Sequence, residues 1–350
     1  MRIVLGAAAL VTAGVLATAL VLALRPPQPA KARAAGRSGA QARHGRPAAG
    51  SPPTTLGQPS PAVVGYTFAL LDDARDKTFN QLLGINNLGH IAGYFGSGAA
   101  GHPYHGYILR PPYARGKYEL ITVPGAKQVQ LTGLNEKGVQ VGFWSAQNNA
   151  NLANGNVGFY IINGRLHKVV FPTTDNASPP VNQLLGVNDH DVAVGFYTDH
   201  QGHRHGYLYD IATKNFGAVT VPGGSNVVAA AINNSGGTAG FFTGSNGVTS
   251  GFYTDASGRV FVLNAPHATL TQALGVNDSG EVVGDYRVGS GGGTVTHGFT
   301  WTAQGGFATV DDPQGAATTT INGVNDAGDL VGFYVDAAGH TDGLLATPNS

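Results

Sequence analysis

Two adjacent pairs of aspartates, Asp72-Asp73 and Asp311-Asp312, are the residues whose type and placement could do chemistry in this chain. Two carboxylates about 5 to 10 Å apart across a glycosidic bond are what acid–base hydrolysis of a saccharide requires. The same residues have a plainer use, because aspartate beside a turn caps backbone N–H groups. A second set suits binding rather than reaction. Asp175-Asn176 and His267 stand at places corresponding to the aspartate pairs. His203 and His205, two apart at a strand start, point to one side of a sheet, with His200 nearby and His102 and His105 in the equivalent earlier place. Zinc would need a third and a fourth ligand, and the sequence offers none beside these histidines, so no metal is expected. The Asn-Asp-x-Gly turns at Asn277 and Asn325 lack the remaining ligands of a calcium loop. No P-loop, dinucleotide or Gly-x-Ser-x-Gly fingerprint stands in the strand-turn-helix context it requires, and no cofactor is expected. The absence of cysteine removes disulfides, thiolate metal sites and cysteine nucleophiles.

What must position these residues is a repeat. Asn86, Asn135, Asn188, Asn233, Asn277 and Asn325 each precede a glycine by seven residues: Gly93, Gly142, Gly195, Gly240, Gly284 and Gly332. Around Asn277 the residues read as a β-hairpin, with Leu274 and Val276 leading in, Asn277 to Gly280 turning, and Val282 and Val283 leading out. The asparagines are 49, 53, 45, 44 and 48 residues apart, a period that with four strand-length runs per unit marks a propeller blade. The second unit has runs at Tyr118 to Val123, Gln130 to Asn135, Val139 to Trp144 and Val157 to Ile162. The fourth has them at Ala218 to Val221, Val228 to Ile232, Thr238 to Phe242 and Thr249 to Tyr253. Short, β-branched and aromatic runs broken by Gly, Pro or Asn make a long helix improbable there. The expected fold is all-β, a six-bladed β-propeller of four-stranded antiparallel blades. The units fall at about 66–117, 118–165, 166–214, 215–259, 260–305 and 306–350, inside a repeat region 63–350. An open β-solenoid is the alternative; six units and the lack of polar capping segments favour a closed ring.

The pattern Gly-[Ile/Val]-Asn-x-x-Gly, then [Val/Ala]-Gly-[Phe/Tyr], then His-Gly-[Phe/Tyr], then an apolar run closing in Pro-Gly resembles the bacterial extracellular HAF repeat over about Tyr66 to Ala346. Departures are Ala231 for the first glycine, Asp191 for the turn glycine, and Val157, Ser250 and Asp342 in place of the histidine. The resemblance implies an exported, propeller-like repeat protein and brings no catalytic residues with it.

Ahead of the repeats, Ile3 to Leu24 is an uncharged run of 22 residues, long enough to cross a hydrocarbon core about 30 Å thick. Residues 1–24 are expected to be a signal peptide or a membrane anchor, and 25–62 a Pro/Ala/Gly-rich basic linker that cannot bury enough apolar surface to fold. Arg2 alone precedes the apolar run, while Arg25, Lys31, Arg33 and Arg37 follow it. The positive-inside rule taken alone keeps the repeats in the cytoplasm; the resemblance sends them out, to an extracellular or cell-envelope location. Residues 1–62 hold seven of the 20 basic residues and none of the 20 acidic ones, leaving 13 bases against 20 acids in the repeats. That acidic balance argues against nucleic acid as a partner.

In an antiparallel blade, connections from strand one to two and from three to four share one face of the disc, and the other connections share the opposite face. The two-to-three hairpin never changes length. The stretch from its asparagine to the strand-four glycine runs 20, 23, 18, 18, 21 and 18 residues, so variation sits in the three-to-four connections, such as Gly96 to Tyr104, Ala146 to Asn156 and Arg287 to Thr296. Variable loops on a rigid scaffold are where binding sites lie. The expectation is a non-catalytic monomeric module that binds an unknown protein or glycan through this variable-loop face, touching the membrane through its N-terminal segment if that is uncleaved. The alternative is a propeller glycoside hydrolase or polysaccharide lyase using the loop aspartates.

Overall fold

The computed structural model of the protein describes residues 65–99, 101–113, 117–147, 155–172 and 180–349. The apolar segment, the basic linker, Asp175 and Asn176 lie outside the described residues. Among those described, no helix is long and apolar enough to cross a membrane, and the one helical element is a 3-10 turn at Gly291–Gly293.

The remainder is strand. β1 (Tyr66–Leu70) is followed by a first sheet of β2 (Asn80–Ile85), β3 (Ile91–Phe95), β4 (His105–Leu109) and β5 (Glu119–Leu120). The second sheet holds β6 (Gln128–Leu134), β7 (Gln140–Ser145), β8 (Val157–Ile162) and β9 (Arg165–Val169). In the third are β10 (Asn182–Val187), β11 (Val192–Thr198), β12 (Arg204–Asp210) and β13 (Asn215–Val219). The fourth comprises β14 (Ser225–Ile232), β15 (Thr238–Thr243), β16 (Thr249–Thr254) and β17 (Val260–Leu263). A fifth sheet has eight strands. One half is β18 (Leu270–Val276), β19 (Val282–Val288), β20 (Val295–Thr302) and β21 (Gly306–Val310); the other is β22 (Thr318–Val324), β23 (Leu330–Val335), β24 (Thr341–Pro348) and β1. Each half is an antiparallel meander, and a single parallel bridge, Thr296 to Thr318, joins them. The molecule is an all-β propeller of four-stranded antiparallel sheets.

Each sheet is offset by one strand from the sequence units. The run that opens a unit, such as Ala218 to Val221, belongs with β13 and pairs with β12 as the outer strand of the preceding sheet. The reason is spatial: the segment after the third strand of a sheet turns straight back along it, whereas reaching the next sheet needs the longer crossover that follows the proline. One consequence concerns closure. β1, the opening run of the first unit, has no preceding sheet among the described residues and pairs along its whole length with β24, from Tyr66 opposite Pro348 to Leu70 opposite Leu344. Between those ends, Leu82, Ile91 and Tyr107 of the first sheet pack with Val331 and Leu345 of the last, so the seam is a hydrophobic core like the others.

The glycines of Gly-x-Asn explain how closely the inner strands converge. A β-bulge falls at this position in every inner strand, as between Leu131 and Gly133 or Ile321 and Gly323. A Cβ on Gly133 would stand 3.3 Å from the Gly186 Cα of the next inner strand, and one on Gly323 would stand 3.2 Å from the Gly84 Cα across the seam. Backbone meets backbone around the axis, which is why this position is glycine in five units of six.

Candidate functional site

The two faces are built differently. On the face of the two-to-three hairpins, the side-chain oxygen of every repeat asparagine accepts the N–H four residues on, at 2.7 to 3.1 Å. Its amide nitrogen does more than fix a turn. Asn86 donates to the Asn135 carbonyl, Asn135 to that of Asn188, Asn188 to Asn233, Asn233 to Asn277 and Asn277 to Asn325, all at 2.9 to 3.1 Å. The residue after each asparagine adds a second series. The Asp189 carboxylate accepts Glu136 N–H, Asn234 accepts Asp189 N–H, Asp278 accepts Asn234 N–H, Asp326 accepts Asp278 N–H and Asn87 accepts Asp326 N–H, at 2.7 to 2.8 Å. The carboxylates of Asp189, Asp278 and Asp326 around this axial mouth staple sheet to sheet, and the cavity among them is about 70 Å³. The sequence alone shows the turn; the stapling between sheets, a contact 44 to 53 residues away, is not legible in it.

The opposite face carries the residues singled out for chemistry, and the structure sorts them. Asp73 is buried and binds the Arg75 guanidinium and the Arg75 N–H. Asp311 receives His297 Nδ1 at 2.6 Å and the Gly298 N–H at 3.2 Å. Both are held by local partners, whereas Asp72 and Asp312 both act on the Tyr334 hydroxyl. Asp312 is buried, caps the Gln314 N–H, and has its carboxyl raised by that burial. Asp72 accepts the Gly343 N–H at 2.8 Å and hydrogen-bonds the carboxyl of Asp342, the residue standing where the repeat has histidine. Burial raises Asp72 to about 7; the Gly343 N–H opposes the rise and the Asp342 carboxyl adds to it. Burial also raises Asp342, which shares a hydrogen bond with the Tyr334 hydroxyl. Sequence reasoning misses Asp342 and Tyr334 as site residues, although Asp342 stands out as a departure from the repeat.

His203 and His205 reach a better-formed site. Asp199 draws both in, His205 Nε2 at 2.9 Å and His203 Nδ1 at 3.4 Å. Burial disfavours the Asp199 charge, but the His205 ring and the N–H groups of His203 and Gln201 outweigh it, and the carboxyl is held well below its ordinary range. Beyond the histidines, a cavity of about 650 Å³ opens at the seam between the third and fourth sheets. Its wall is aromatic: Phe171 stacks on Tyr197 at 3.9 Å between ring centres, and Phe216 meets Phe171 edge-on at 4.8 Å. β12 and β13 supply one side, and the crossover into β14, Gly224 to Val227, supplies the other. The three aromatic residues come from three places: the chain just past β9, β11 and β13. The sequence marks the histidines and the face but not this convergence, which depends on the sheets being offset from the repeat units. His267 sits exposed in a turn at a positive φ of 61° and does not line the cavity. Among the described residues no group of three His, Cys, Asp or Glu is placed to hold a metal.

No family model matches the chain, and no curated protein matches it in sequence. Solved structures similar to it in fold include TolB from Acinetobacter baumannii, at 11% identity and a TM-score of 0.46, covering 75% of this chain and 64% of that one. A lectin from Aleuria aurantia in complex with α-methyl-L-fucoside is 10% identical with a TM-score of 0.45, covering 79% and 96%. The Trypanosoma rangeli sialidase in complex with sialic acid is 10% identical with a TM-score of 0.42, covering 80% and 57%. The chain thus spans just under two thirds of the length of TolB.

Proposed function

We propose that the protein is an exported, non-catalytic propeller of the HAF-repeat kind, six-bladed when each half of the eight-stranded sheet is counted as a blade. Residues 1–62 hold it at the cell envelope or are removed on export, and it binds a glycan or protein there through the variable-loop face. The observation that carries this reading is the 650 Å³ aromatic-walled cavity on that face, inside the size range of ligand sites. On the opposite face the repeat asparagines and the residues after them are engaged in holding sheets together, and the cavity there is only about 70 Å³. Two measurements test the reading. Protease added to intact cells should cut the chain between Arg25 and Ala62; cutting only after lysis would mean that the repeats stay inside, as the flanking charges favour. Detergent-solubilised full-length protein should be retained on the detergent-insoluble envelope fraction, and Ala218→Trp, which fills the cavity from an exposed position on β13, should abolish retention.

A second reading, hydrolysis or lysis of a polysaccharide, is favoured by one observation: the Asp72 carboxyl near 7 beside Asp342 and Tyr334, poised to give up a proton at neutral pH. Reducing-end assays on envelope and plant polysaccharides decide it. Turnover lost in Asp72→Asn and Asp342→Asn would establish an enzyme, and absence of turnover removes this alternative.

A further inference from the structure

We infer that the cavity between the third and fourth sheets takes a saccharide, whose ring lies against the aromatic wall while its hydroxyls meet His203, His205 and Asn226. The inference rests on the reading of the variable-loop face as the binding face and specifies what binds there. A pyranose has a flat C–H face and a rim of hydroxyls that both donate and accept. The cavity offers the complementary pair. Phe171, Tyr197 and Phe216 are only partly buried and line the cavity with apolar ring surface. The polar groups stand at the edge of that wall. His205 stacks beside Tyr197 at 5.1 Å and 22°, and each imidazole is oriented through one nitrogen by Asp199, which leaves the other nitrogen for a hydroxyl. Asn226 lines the same rim. It is held at a positive φ of 51°, uncommon for a residue with a side chain, and its Oδ1 accepts the Arg204 N–H at 3.1 Å.

Charge narrows the ligand further. The described residues lining the cavity include His203, Arg204 and His205 and no aspartate or glutamate, and the Asp199 carboxylate beside them is engaged by both histidines, so an amine or a basic peptide would have to displace those contacts. The neighbouring seams show what a filled version looks like. At the equivalent place in the first sheet the Arg75 guanidinium lies 5.1 Å over the Phe95 ring, and in the second sheet the Lys168 ammonium lies 5.0 Å over Trp144. The cavity beside Trp144 is about 200 Å³, less than a third of the one beside Tyr197. A long cationic side chain covers the aromatic ring at those two places, and at Phe95 the His105 imidazole stands beside the ring as well, at 4.9 Å, as His205 does beside Tyr197.

The test is saturation-transfer NMR and calorimetry on the detergent-solubilised full-length protein with methyl glycosides of neutral hexoses, deoxyhexoses, N-acetylhexosamines and uronic acids. At least one should bind saturably, with ring C–H protons receiving the strongest transfer from the aromatic wall. Ala218→Trp should weaken it by at least roughly tenfold and His205→Ala by roughly three- to tenfold. Both positions are exposed, so melting temperatures should match wild type and separate lost binding from lost folding. No binding by any glycoside, or equal binding by wild type and Ala218→Trp, overturns the inference. If Ala218→Trp loses retention on the envelope fraction while no glycoside binds, the binding-face reading stands and the saccharide falls. If a glycoside binds and is displaced by Ala218→Trp while envelope retention persists, the saccharide stands and the binding-face reading falls.

Discussion

The two faces of the propeller use the same residue types to opposite ends. On the hairpin face, asparagine and aspartate side chains are bound into series that run from sheet to sheet, and the two-to-three hairpins there keep one length through all six units. On the variable-loop face, aspartates and histidines pair locally, as Asp311 with His297 and Asp199 with His205, and the connections differ in length. A polar group whose partner lies in the next sheet is part of the architecture. One whose partner lies a few residues away, or in the same sheet, can be exchanged without opening a seam. The comparison predicts that equal chemical changes on the two faces have unequal costs.

The largest effect should come from the scaffold both faces share. A Cβ on Gly284 would overlap the Gln272 carbonyl oxygen and lie 2.9 Å from the Phe299 ring, so Gly284→Val forces β18 and β19 apart. A loss of about 3 to 5 kcal/mol is expected in denaturant titration. A midpoint equal to wild type would show that the spacing of the repeat glycine has no packing basis.

Next comes the closure seam, the place on the variable-loop side where architecture depends on a titrating group. Asp72 lies between β24 and the first sheet, facing Asp342, His340 and Tyr334 on one side and Tyr107 and Tyr118 on the other, with Asp73 adjacent. Its pKa is raised in the fold, so its contribution to stability is complete below the ordinary carboxylate value near 4 and is lost as pH rises towards 7. Since the group partly reaches solvent, roughly 1 to 3 kcal/mol should disappear over that window. Thermal melts of wild type and Asp72→Asn at pH 4, 5.5 and 7 would show it, because the variant should lack that part of the slope.

On the hairpin face, Asn135→Ala removes the acceptor for Val139 N–H and the donor to the Asn188 carbonyl and to Asp191, all at 2.9 Å. With the asparagine buried, its loss leaves those groups unpaired, and a cost of about 1 to 3 kcal/mol is expected from urea unfolding.

How much of this is legible in the sequence follows from how local each cause is. Strand positions, hairpins and the glycine seven residues after each asparagine can be read because alternation and turn chemistry act within about ten residues. The offset of the sheets, the continuity of the last two meanders and the meeting of Phe171 with Tyr197 cannot, since they depend on where a crossover sends the chain. Two departures from the repeat bury a carboxyl where the other units have a different residue type. Asp342 is one, and Asp285 is another. Asp285 stands where the other units have Tyr94, Phe143, Phe196, Phe241 and Phe333, is 1% exposed, and has neither oxygen hydrogen-bonded. Burial raises its carboxyl to about 7, against the pull of Arg287. Asp285→Phe restores the repeat residue and should stabilise the fold at neutral pH by roughly 1 to 2 kcal/mol, read from the shift in denaturation midpoint.

The smallest effect sharpens the comparison most, because it matches the asparagine test in kind. Asp311→Asn keeps the shape of the side chain and weakens its contact with His297 Nδ1 and the Gly298 N–H. Unlike Asn135, Asp311 is about 40% exposed and its two partners both belong to β20, the strand beside its own, so water can replace what the carboxylate gave without a seam opening. An exposed pair of this sort contributes about 0 to 1 kcal/mol, and the carboxamide retains an acceptor for the N–H. The expected change in stability is therefore within about 0.5 kcal/mol of wild type. A loss as large as that of Asn135→Ala would mean that the variable-loop face belongs to the architecture as much as the hairpin face does, and would remove the physical ground for placing the binding site there.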